Sequence, residues 1–381
     1  MQQLVLSEDQ ELLAKTAADF VASRSPVARV RALRDASDPL GFSRPLWKEM
    51  AELGWVGIPF PESCGGAGMG FAELAVVLEA LGRSLAPEPF LSCVVLAGQT
   101  LLRAGSEAQQ RAWLPRLVSG EALLAFASQE RESRYDLQRV ATTARRQGGG
   151  FALSGEKIAV QDGAGADAYV VAARTSGAVA DPSGISLFLV PAATPGLRCE
   201  RQWRVDSRNA AILHLEGARV PQDALLGREG EGLATLEAVV DLATAALCAE
   251  MLGSMSEAFA RTLHYLKNRS QFGVPIGSFQ ALKHRAAQMF VEIELCRSAV
   301  MGAVRALDAG DADARKLVSV AKARCSETAM LVAHEAVQMH GGIGMTDEHE
   351  IGFFLKRARV AELTFGDAAW HRARWARLCG Y

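Results

Sequence analysis

The chain has 381 residues, 41 of them basic and 43 acidic, for a formal net charge of -2. A balance this even gives no overall field to draw nucleic acid or an anionic membrane, so an anionic ligand has to be met by local groups. The seven cysteines (Cys64, Cys93, Cys199, Cys248, Cys296, Cys325, Cys379) are scattered, odd in number and form no CxxC pair, which argues for reduced thiols and a cytoplasmic protein without a zinc or iron-sulfur site.

Length predicts two to three domains that bury about 75% of the unfolded surface, enough to be stable without disulfides. The N-terminal segment Met1 to Glu8 has no basic stretch followed by an apolar one, and no run approaches about 18 apolar residues, which predicts a soluble protein with no membrane association.

From Ser7 to about Gly120 the pattern is helical. Leu12, Leu13, Ala17, Phe20 and Val21 recur at helical spacing, and Ser7 followed by Gln10 has the form of a capping box. A second helix runs through Trp47, Met50, Ala51 and Leu53 and stops at Gly54. The segment Pro59 to Gly68 is turn-rich, and a third helix follows from Leu74 to Leu81. After Glu121 short apolar runs appear at Leu123–Ala127, Phe151–Leu153, Ala168–Ala173, Ile185–Val190 and Ala211–Leu215. Clusters such as Asp162-Gly163-Ala164-Gly165 and Asp181-Pro182-Ser183-Gly184 separate them, which predicts a middle domain of antiparallel strands.

From Gly232 the chain is helical again. A pattern of about 35 residues starting near Leu233 is predicted to end around Ser270 to Phe272, where Pro275 disfavours helix, and Ser278 is placed to cap the next helix. Helices, then strands, then helices point to a layered arrangement rather than alternating βαβ units.

Two glycine-broken turns interrupt this last helical region: Arg269-Ser270-Gln271-Phe272-Gly273-Val274-Pro275-Ile276-Gly277-Ser278-Phe279-Gln280 and Gln338-Met339-His340-Gly341-Gly342-Ile343-Gly344. Glycine there allows positive φ and close approach of a ligand, while Arg269, Gln280 and Gln338 offer hydrogen bonds suited to pyrophosphate and adenine edges. The plain alternatives are a helix-helix turn with a solvated arginine and a glycine-rich C-cap, although three glycines in four residues exceed what a cap needs.

Both blocks resemble the cofactor-binding segments of the acyl-CoA dehydrogenase family, the first through Arg269, Phe272, Gly273, Pro275, Ile276, Phe279 and Gln280. The resemblance covers nearly the whole chain, including Leu46-Trp47 through Gly54, Pro61-Glu62 through Gly68, Gly82-Arg83 with Pro87, Val220-Pro221, Leu226-Gly227, Gly230 and Gly232. It implies an α+β, mainly α fold: an N-terminal helical domain over 1–121, a middle antiparallel β domain over 122–230 and a C-terminal four-helix domain over 231–381. It also implies FAD-dependent α,β-dehydrogenation of an acyl-CoA thioester in a dimer or tetramer, with electron-transfer flavoprotein as a partner. By resemblance, Arg269, Phe272, Gln280, Gln338, Gly341 and Gly342 hold the ADP half of an FAD and reach it from a neighbouring subunit.

In that family a glutamate removes the α-proton while the β-hydrogen leaves as hydride to the flavin. The two positions from which members supply this base fall at Phe365 and Ala243, and neither side chain accepts a proton. Asp241, Glu362 and Asp367 are the nearby carboxylates, yet a shift of one or two helical positions turns a side chain by roughly 100° or more.

The flavin-ring segments also depart from the pattern. Gln129-Glu130-Arg131 and Arg134-Tyr135-Asp136 stand where the family has Thr-Glu-Pro and Gly-Ser-Asp; Ala159 replaces an aromatic residue and Gln161 a threonine. His371 follows in a Gly-Asp-x-x-x-His-Arg run, either packed or in contact with CoA or a partner chain. The economical explanation is a base-less subunit whose partner carries the flavin ring and the base. The competing readings are a self-sufficient homo-oligomer using Asp241, Glu362 or Asp367, and a silent structural or regulatory subunit without flavin.

Overall fold

The computed structural model describes residues 5–381; Met1 to Leu4, part of the N-terminal segment considered above, lie outside the described residues. The chain divides into two compact units that do not follow chain order. Among the described residues, one is 5–32, 70–86 and 244–381; the other is 33–69 and 87–243.

The first unit is helical. Helix α1 (Glu8–Arg24) opens with the expected box, the Ser7 hydroxyl accepting from Gln10 N–H and the Gln10 amide accepting from Ser7 N–H. It packs on α4 (Phe71–Arg83), where Gln10 also donates to Glu73 at 2.8 Å. Helix α7 (Gly232–Asn268) is shared by both units, and α4 meets its later part backbone to backbone. A Cβ on Gly82 would lie 2.1 Å from the Glu250 carbonyl oxygen, and one on Gly253 only 1.9 Å from that of Glu79. Helices α8 (Gln280–Asp308), α9 (Ala314–His340), α10 (Ile351–Leu363) and α11 (Ala368–Leu378) complete this unit, with α9 packed against each of the other three.

Helix α7 corrects the expectation that no apolar run approaches membrane length. It holds an 18-residue window of mean hydropathy 1.6, and 67% of that window is buried within the chain. A stretch apolar all round is what a core helix needs.

The second unit contains α3 (Arg44–Glu52), α5 (Gln99–Ala104), α6 (Glu107–Val118) and a buried π-helical stretch, Phe90–Gly98; the short α2 (Val27–Asp35) straddles the division. Its sheet comprises β1 (Leu124–Ala127), β2 (Thr143–Gln147), β3 (Gly150–Gln161), β4 (Ala168–Arg174), β5 (Ile185–Pro191), β6 (Leu197–Trp203), β7 (Asn209–Pro221) and β8 (Leu225–Leu226), in the order β6-β7-β3-β2-β4-β5-β8, with β1 beside β4. Every apolar run singled out above lies in a strand. The expectation of purely antiparallel strands is corrected at one place: β4 pairs parallel with β1 and, at Thr143↔Arg174, with β2. The core between strands is built from Phe151, Leu153, Tyr169, Val171, Phe188 and Leu213, all buried.

A buried ion pair fixes the loop after β1. Lys157 Nζ lies 2.6 Å from Glu130 Oε1, and the same carboxylate accepts the N–H groups of Ala141 and Thr142 at 2.7 and 2.9 Å. Burial alone would raise the Glu130 carboxyl, but the adjacent ammonium and these hydrogen bonds hold it below the usual range. Lys157→Met strands that carboxylate in the interior, so urea unfolding followed by circular dichroism should show a loss of about 3–5 kcal/mol.

Candidate functional site

Helix α7 ends at Asn268, two to four residues earlier than expected, because the chain turns into a hairpin that periodicity did not reveal. Strands β9 (Ser270–Gln271) and β10 (Val274–Pro275) pair antiparallel across Phe272 at φ 53° and Gly273 at φ 78°. Two positive φ values in succession make the tight primed turn whose twist suits a hairpin. The Ile276 N–H donates to the Arg269 carbonyl at 2.8 Å and closes the loop. Phe272 is 91% exposed at the tip, edge-on to Phe279 at 6.2 Å.

Ser278 does not cap the next helix; its hydroxyl donates back to the Pro275 carbonyl at 2.7 Å. Phe279 is the N-cap and has no capping side-chain bond, which leaves the first turn of α8, beginning at Gln280, open to an acceptor from outside.

The second block ends α9. Its glycines have separate reasons. Gly341 adopts φ 65°, which favours glycine; Gly344 packs so closely that a Cβ would lie 2.6 Å from the Val337 carbonyl oxygen. Gly342 has neither positive φ nor any atom within 4 Å of a Cβ position, so nothing inside the chain demands glycine there. The side chains of Arg269, Gln280 and Gln338 are exposed and make no hydrogen bond or ion pair among the described residues.

A ring stack links the end of α7, just before the first block, to the second block. Tyr265, whose carbonyl accepts the Arg269 N–H at 2.8 Å, stacks on His340 with ring centroids 4.5 Å apart and planes at 29°. Tyr265, beside the first block, and His340, within the second, are visible in the sequence, but the stack between them follows only from the packing of α7 on the end of α9.

At the expected base positions no carboxylate is available. Ala243 is fully buried in α7. Phe365 has φ 60°, and its carbonyl accepts from His371 Nε2 at 3.1 Å. The carbonyls of Glu362 and Gly366 accept from the fully buried Lys322 Nζ at 2.9 and 2.7 Å. Of the alternative carboxylates, Asp367 caps α11 by accepting the Trp370 N–H at 2.8 Å, and Glu362 pairs with Arg359. Asp241 is buried in α7 and already has a partner.

In the second unit the segments that depart from the family pattern have an unusual backbone. Arg134 has φ 44° and Ala159 φ 51°. Ala159 lies in a bulge of β3, its N–H donating to Gln202 Oε1 at 3.0 Å. Non-glycine residues at positive φ are uncommon and persist where their surroundings over-determine them.

Family models describing the acyl-CoA dehydrogenase N-terminal, middle and C-terminal domains match residues 7–121, 125–218 and 230–379. An acyl-CoA dehydrogenase of Bacillus subtilis is 32% identical over 370 residues, covering 95% of each chain. Among solved structures, the chain is similar to one in the ChsE4–ChsE5 complex from Mycobacterium tuberculosis (TM-score 0.90, 29% identity, 100% and 99% of the two chains covered). It is similar also to a variant of the Tcur3481–Tcur3483 steroid ACAD (0.87, 33%, 98% of each), and to the FAD complex of PigA (0.92, 26%, 100% and 99%).

His371 is the packed alternative of the two weighed for it. Burial, then the nearby Lys322 and Arg374 cations, push its imidazole from 6.5 down to about 3. Between those values the unfolded chain binds a proton here and the native chain does not, so this residue makes stability fall as pH drops through that window. His371→Gln should make the slope of unfolding free energy against pH shallower there by about one proton, measured by urea unfolding at stepped pH.

Proposed function

Because the chain belongs to the acyl-CoA dehydrogenase family, whose members are FAD-dependent oxidoreductases acting on acyl-CoA thioesters, we propose that it serves as the subunit without a catalytic base in a heteromeric enzyme of that kind. The observation that carries this reading is Phe365, a side chain unable to take a proton, on a loop held in place by Lys322 and His371. The substitute-base reading loses support, since Asp367 and Glu362 are engaged elsewhere and Asp241 is buried with a partner. Two of the similar structures, ChsE4–ChsE5 and Tcur3481–Tcur3483, bear paired names, which supports a partner of the same family.

The residues present fit the adenylate half of FAD. Arg269 supplies charge to a pyrophosphate, the uncapped start of α8 supplies N–H groups, and the Gly341–Gly342 turn admits a close backbone approach. A bound flavin would supply the hydride acceptor for the acyl chain. The carboxylate that takes the α-proton would come from the partner.

Purified alone, the chain is expected to show no acyl-CoA turnover, and co-expression with a family member that retains the glutamate should give a flavin-containing, active complex. Flavin with turnover in the isolated chain overturns the proposal. Arg269→Ala should weaken flavin retention by about 1–3 kcal/mol, the size of a charged hydrogen bond, without unfolding the chain as read by circular dichroism; unchanged flavin content counts against the assigned site.

A further inference from the structure

His340, the last residue of α9 before the second glycine-broken turn, is 2% exposed. Its Nδ1 is 2.7 Å from the Ala336 carbonyl, so that nitrogen carries the proton and donates. Nε2 is then a bare acceptor, buried and without a hydrogen-bond partner. Tyr265 stacks on the ring, and His349 lies 4.6 Å from it at 50°. The chain passes directly from His340 into Gly341, and a Cβ on Gly344 would lie 3.0 Å from His340 Cβ, so that the turn wraps the residue.

Through the Tyr265 carbonyl the same stack reaches Arg269. The charged and titratable groups around it are Tyr265 and Arg261 from α7, with His349 and Glu350 from the segment entering α10. Arg261 is paired with Glu350 at 2.6 Å and with Glu257 at 2.9 Å. Burial, then His349 and Arg261, hold the His340 imidazole below its ordinary range.

We propose that His340 is a positioning residue for the adenylate end of FAD: its neutral ring locks the Arg269 turn and the Gly341–Gly342 turn into one cradle, and its protonation opens that cradle and releases flavin. A proton on Nε2 creates a buried donor with no acceptor beside a guanidinium, and the ring relieves this by leaving the stack. The inference rests on the reading that these blocks hold FAD.

The test compares wild type with His340→Phe, His340→Ala and His349→Phe, each as the oligomer that purifies, by visible absorbance after gel filtration at about pH 8 and about pH 5. Wild type should bind flavin about tenfold more weakly at the lower pH. His340→Phe, which keeps a stacked ring but cannot titrate, should give a flat profile, and His340→Ala should be weak at both. Flavin retention like wild type in His340→Ala overturns the proposal, as does an acid-dependent loss that persists in His340→Phe and vanishes in His349→Phe.

Amide exchange reads the same device without flavin. Phe272, Gly273, Gly341 and Gly342 should quicken together in His340→Ala, while a response confined to residues 341–344 overturns it. Failure of the FAD reading shows separately, as a wild-type preparation without flavin at about pH 8, and exchange then decides.

Discussion

A buried ammonium dictates the form of the segment between α10 and α11. Lys322 is completely inaccessible and bonds Ser326 Oγ at 2.9 Å and the carbonyls of Glu362 and Gly366. Among the described residues no carboxylate forms a salt bridge with it, and burial pulls its pKa down to about 8 against the opposing pull of the Cys248 and Cys325 thiols and of Glu362 and Asp367. A charge in that position is tolerable only while oxygen atoms surround it. The chain between α10 and α11 therefore has to turn its carbonyls inward. That requirement sets Phe365 at positive φ and leaves Gly366, at φ 117°, with no room for a Cβ. Whatever side chain occupies position 365, its direction is decided by the backbone beneath it.

The same separation of frame from side chain recurs at Arg134 and Ala159. Each occupies a conformation that costs a non-glycine residue of order 1–3 kcal/mol, and each lies where the sequence departs from the family pattern. Glu130 and Lys157 secure the first loop, and the bulge between Lys157 and Val160 secures the second. At both positions the backbone form is secured independently of the side chain that it carries.

Much of the fold was legible because it rests on periodicity and turn residues. The capping box at Ser7, the stop at Gly54 and the five apolar runs in strands follow from patterns a few residues long. Strands β2 and β6 escaped notice since they present polar, largely solvent-facing side chains, such as Arg145, Arg146 and Glu200. The hairpin after α7 escaped because its strands have two residues each and its turn places phenylalanine where glycine or asparagine is usual. The glycine blocks, and Phe365 and Ala243 at the positions where the family pattern leads one to expect a base, were visible as residue types at recognisable spacing. The stack of Tyr265 on His340 and the buried seat of Lys322 were not, because they depend on which helices meet, and no local pattern records that.

The crossing of α4 and α7 has a consequence of another kind. With glycine at both Gly82 and Gly253, the separation of the two axes is set by main-chain atoms touching main-chain atoms. Interfaces padded by leucine or methionine can drift by small amounts as side chains change rotamer or are exchanged over evolution. This one has no such padding, so it works as a fixed gauge: it cannot be widened a little, only broken, and neighbouring residues are free to vary without altering the spacing it enforces.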